Sequence, residues 1–191
     1  MGKSALAYCL IALALLAGCK SNRKKNMVIT QRPASATEVD STVYGKCGMG
    51  TAMNTLELIT DGGDTVSYQL SQANSDNQVI GGLAVGDRMA IVGTKDNDGE
   101  YVAQKVINLT SLLGRWSNIS ESFEICEGGL VKSNMKEPTP RTEWKICNGK
   151  LLLSADTFNV TFIGPDSLYL NRAGVIYGYR RMPSAVRHNR K

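Results

Sequence analysis

Few side chains in this 191-residue chain can do chemistry, and most of those are carboxylates and thiols. The single histidine, His188, stands in the basic stretch that ends the sequence, after the last segment with a strand pattern. A Ser-His-Asp relay or a histidine-based zinc site needs an imidazole held among partners, so neither is expected. Carboxylates occur as close pairs, Asp61/Asp64 and Asp96/Asp98, but both pairs sit beside glycines in turn-like stretches, where short acidic side chains bond the local backbone. The run Lys95 to Glu100, KDNDGE, lacks the acidic spacing and distal Glu of a calcium loop. The expectation is therefore a non-enzymatic chain with no catalytic residue, no metal and no cofactor. Of the five cysteines, Cys19 differs in its setting: it follows an apolar run, Ala5 to Ala17, and directly succeeds the small residues Ala17 and Gly18.

That run is too short to span a bilayer, which needs about 20 apolar residues, and with Lys3 ahead of it residues 1–18 read as a signal peptide. Leu16-Ala17-Gly18-Cys19 then resembles the lipobox of bacterial lipoproteins. The resemblance implies cleavage after Gly18, a diacylglyceryl thioether on Cys19 and acylation of the new amine with chains such as palmitate. Each buried methylene contributes about 0.8 kcal/mol, so two or three chains would anchor the protein durably. Residues 19–40 are polar and aperiodic and read as a flexible tether of roughly 25 Å. In some Gram-negative lipoproteins an acidic cluster after the anchor directs export to the cell exterior. Here the cluster is basic, Arg23, Lys24 and Lys25, so the expected location is the outer membrane facing the periplasm.

The formal charge of +5 conceals a change of sign along the chain. From Ser41 to Thr110 there are four Lys/Arg against eight Asp/Glu, whereas from Ser111 to Lys191 there are twelve against seven. This places a boundary near Thr110, between expected domains 41–110 and 111–182, with a basic tail at 183–191. An acidic first domain would repel phosphate, and its only aromatic residues are Tyr44, Tyr68 and Tyr101, so nucleic acid is not an expected partner.

In the first domain, strands are expected at Thr42 to Lys46, Thr55 to Thr60 and Thr65 to Leu70, the last two joined by Asp61-Gly62-Gly63-Asp64. Ser71 to Asn77 could form a short helix turn. Two further strands follow around Leu83 to Val92 and Tyr101 to Ile107. Three strands, a short helix and two strands is the order of an OB-like barrel.

From Leu112 onward the spacing predicts seven or eight short strands in an antiparallel meander, with turns at Gly128-Gly129, Asn148-Gly149 and Gly164-Pro165-Asp166. This part resembles bacterial lipoproteins with a lipocalin-like domain: Gly114-x-Trp116 opens the first strand and Arg180-Arg181 ends a late one. The resemblance implies a structural tryptophan with an arginine lying over it. Strands of about six residues leave little interior for a ligand. Phe123, Ile125, Trp144 and Ile146 share inward parity, as do Phe158, Val160 and Phe162. Cys126 and Cys147 point outward about two strand spacings apart, too far for a disulfide, so thiols are expected. The functional expectation is a membrane-anchored envelope lipoprotein that binds a small apolar ligand or an envelope protein. The alternatives are a carboxylate-based hydrolase of envelope or dietary polymer and a structural accessory subunit.

Overall fold

The computed structural model describes residues 39–71, 78–133 and 140–183. The signal peptide, Gly18, Cys19, nearly all of the tether, the expected helix turn after Ser71, most of the proline loop at Glu137 to Pro140, and the tail with His188 lie outside the described residues. From Val39 onward the described residues form one compact unit. It is mainly β, a closed five-stranded OB-like barrel followed by a nearly closed eight-stranded antiparallel lipocalin-like barrel.

The first barrel contains β1 (Val43–Cys47), β2 (Thr55–Thr60), β3 (Thr65–Gln69), β4 (Val79–Ile80), β5 (Arg88–Lys95) and β6 (Tyr101–Asn108). Neighbours run in the order β3-β2-β1-β5-β6, and a parallel pairing of β3 with β6 closes the ring; the two-residue β4 adds to the far side of β6. Leu56, Leu58, Tyr68, Met89, Ile91, Ala103 and Val106 fill its interior. The outward side chains Ala90 and Ile107 alternate with these, yet they too are buried, because the second barrel packs against that face. Strands covered on both sides read as continuous apolar runs, and Met89-Ala90-Ile91 and Val106-Ile107 are such runs.

Asn108 caps a single helical turn, α1 (Leu109–Leu112), its side-chain oxygen accepting from Ser111 N at 2.9 Å. The second barrel follows: β7 (Gly114–Ser117), β8 (Ser122–Ile125), β9 (Val131–Ser133), β10 (Trp144–Cys147), β11 (Lys150–Leu153), β12 (Asp156–Ile163), β13 (Ser167–Arg172) and β14 (Val175–Met182). Pairing of β14 with β7 brings the two ends of the meander together. At the remaining seam, β9 meets the lead-in to β10 through a Leu130–Glu143 bridge and a bond from Val131 N to Thr142 O.

Phe162 departs from the expected parity. A bulge between Val160 and Phe162 sets two steps on β12 against one on β13, so Thr161 is the extra residue. Beyond it Phe162 turns to the surface, where it stacks on Tyr169 with centroids 5.7 Å apart, and Ile163 takes the inward position. Cys47, Cys126 and Cys147 form no disulfide. No helix among the described residues is long and apolar enough to cross a membrane.

Candidate functional site

One end of the second barrel is sealed by Trp116 and Arg181. Gly114 starts β7 and faces Ile125, placing Trp116 at the end nearest α1. The indole is fully buried and donates from Nε1 to Leu112 O at 2.9 Å. Arg181 lies over it, its guanidinium carbon 4.1 Å from the ring centroid, and donates to Leu113 O, Ser111 O and Pro165 O at 2.6–2.8 Å. A cation–π contact of this kind contributes about 0.5–2 kcal/mol. Arg180, one position earlier, is exposed, since successive strand residues face opposite sides. Gly114 sits at φ +127°, and a Cβ there would come 2.5 Å from Arg181 Nη1, so no larger residue leaves the arginine in place.

The opposite mouth is closed by charge. Arg141 reaches Glu121 with Nε at 3.0 Å and Nη2 at 3.3 Å, and Asp156 with Nη1 at 3.1 Å. Its guanidinium lies 5.5 Å from the Phe158 centroid and 5.7 Å from that of Phe123. Tyr179 donates to Glu121 at 2.5 Å, and Arg172 pairs with Asp156 at 2.7 Å. Between these two closures the barrel is packed with Trp116, Phe123, Ile125, Ile146, Leu151, Phe158 and their neighbours. The interior is therefore core.

Burial alone would raise the pKa of Glu121, but the bonds from Arg141 and Tyr179 hold it below its ordinary 4.5. A carboxyl whose folded pKa is depressed supplies stability that is complete above its unfolded value and lost as pH falls through the folded one. The thermal midpoint is therefore expected to fall as pH drops below about 4.5, with Glu121→Gln flattening that slope; differential scanning calorimetry between pH 3 and 7 measures both. Asp61, held low by its bond with Arg88, adds to the same acid limb.

An open recess of about 580 Å³ lies between the barrels. Tyr44 and Lys46 on β1 and Arg88 on β5 form one wall, adjacent through the Tyr44–Ala90 and Lys46–Arg88 pairs of the strand register. Leu109, Thr110 and Leu113, around α1, also line it, and Trp144, Lys145, Ile146 and Glu127 to Gly129 form the other wall. Gly129 lets that wall close up, since a Cβ there would stand 3.1 Å from Trp144 O. The two walls are tied together. Tyr44 donates its hydroxyl to Ile146 O at 2.5 Å, and the Asn148-Gly149 turn bonds Ser41, Thr42 and Asp40 at the entry to β1. Trp144 is fixed by a 2.7 Å bond from Nε1 to Cys126 O. Arg88 makes a two-pronged pair with Asp61, whereas Lys46 and Lys145 are exposed and form no ion pair among the described residues.

No family model, curated protein or solved structure matches this chain.

The carboxylates singled out in the sequence do not assemble into a site. Asp61 is engaged by Arg88, and Asp96 bonds the backbone N–H groups of Asp98 and Glu100 within its own turn. Among the described residues no three His, Cys, Asp or Glu side chains converge as a metal set. Sequence reasoning missed Arg141 and the inter-barrel recess. A lone arginine between a proline loop and a strand carries no periodic signal, and the recess joins residues about 100 positions apart, from Tyr44 to Ile146.

Proposed function

We propose that this chain is a bacterial cell-envelope lipoprotein, anchored through acylated Cys19 to the outer membrane and facing the periplasm, which serves as a non-enzymatic binding module. The single observation that carries the binding reading is the recess between the barrels. Its volume lies within the range of about 300–1,000 Å³ usual for small-molecule sites, and its lining combines apolar and aromatic side chains with polar and charged ones. The lipocalin-like interior is filled by its own side chains, so binding is assigned to the junction. One carboxylate, Glu127, lines the recess; acid-base hydrolysis of a polymer needs two that converge, which favours binding over hydrolysis.

Expression of the full chain in a bacterial host with radiolabelled palmitate tests the anchor. Label on the wild type, its loss in Cys19→Ser, and a mature N-terminus at Cys19 are the expected results. An unlabelled wild type, or one that retains residues 1–18, would overturn the assignment.

A further inference from the structure

We infer that the ligand of the inter-barrel recess is an anionic amphiphile, a small molecule with a carboxylate, sulfonate or phosphate head on a flat or branched apolar body. This rests on the reading of the recess as the binding site and adds the ligand's charge. Lys46 and Lys145 stand on opposite walls, exposed and without ion-pair partners among the described residues. Arg88 is paired with Asp61, so it contributes bonding capacity without net charge. Glu127 at the rim leaves an excess of one positive charge, which suits a monoanion. Among the other lining residues Leu109 is buried and Leu113 and Trp144 are half-buried, so the apolar body has a place to leave water. The combination of exposed positive charge and buried or half-buried hydrocarbon in one recess selects an amphiphile over a purely apolar ligand. Charge lining a cleft with low-dielectric walls acts more strongly than the same charge on an open surface.

The test is equilibrium fluorescence of the native, delipidated protein with two probes of similar shape, anionic 8-anilinonaphthalene-1-sulfonate and neutral N-phenyl-1-naphthylamine. Near-ultraviolet circular dichroism verifies that each variant keeps its native packing. The sulfonate is expected to bind at one site, and its affinity to fall about tenfold in Lys46→Glu and again in Lys145→Glu. Raising the salt from 0.1 M, where charges are felt over about 10 Å, to 1 M should weaken it similarly. Lys95→Glu, on the far end of β5, should leave it unchanged, and the neutral probe should respond to none of these changes. Equal affinity for both probes, unmoved by Lys46→Glu, Lys145→Glu or salt, would overturn the charge assignment while leaving the recess as a binding site. No saturable binding of either probe would overturn the binding reading as well.

Discussion

Arg141→Met is expected to lower the thermal midpoint by about 6–12 °C. Among the described residues the guanidinium is the only group that bonds both Glu121 and Asp156 across the barrel mouth. Removing it leaves the Glu121 carboxylate, among the described residues, with only the Tyr179 hydroxyl as a bonding partner, while Asp156 keeps Arg172. Breaking a buried pair by removing one member costs about 3–5 kcal/mol, and the lower end applies because these side chains retain 12–26% exposure. About 3 kcal/mol, at roughly 2–4 °C per kcal/mol for a domain of this size, gives that range. Methionine keeps most of the aliphatic packing against Phe123 and Phe158, so the loss measures the charge. The paired variant Arg141→Met with Glu121→Gln should recover part of it, since no uncompensated carboxylate then stays beside the aromatic rings. A midpoint unchanged in Arg141→Met would show that the mouth is held by packing alone.

The second large effect is expected at the other end of the barrel. Trp116→Ala removes the largest fully buried side chain, and such deletions cost about 3–5 kcal/mol. Its Arg181 partner would keep three carbonyl acceptors but lose the ring beneath it. How the loss is distributed is the more informative result. Trp116 belongs to a core that also holds Ile80, Ala90 and Ile107 of the first barrel, so both barrels share the penalty. Calorimetry should therefore give a single transition displaced downward by about 6–20 °C. Two separated transitions, with only one displaced, would mean that the barrels unfold independently and that the shared core couples them weakly.

The shared core explains why the sequence yields two barrels more readily than their union. Strand alternation and turn chemistry are local properties, and Asn148-Gly149, with φ of 47° and 71°, could be read directly as a tight hairpin. That the same turn also clamps Ser41 and Thr42, more than 100 positions away, depends on how the barrels dock, and no local pattern encodes it. Ala90 and Ile107 read as members of apolar runs, yet only the docked neighbour explains why both faces of their strands are covered. Phe162 shows the limit from the other side: a period-two pattern carries no mark of the one-residue bulge that turns the ring outward.

By itself the sequence determined the mainly β character and the succession of short strands that makes an OB-like barrel followed by a lipocalin-like one. These rest on side-chain alternation and on turn residues that tolerate positive φ. The tertiary structure decided that Arg181 rather than Arg180 covers the indole, that the barrel interior is core rather than cavity, and that Arg141 closes its mouth. It also decided that the recess lies where the two barrels meet. Each of these depends on contacts between residues far apart in the chain, whose relative placement follows from packing rather than from the types of their sequence neighbours.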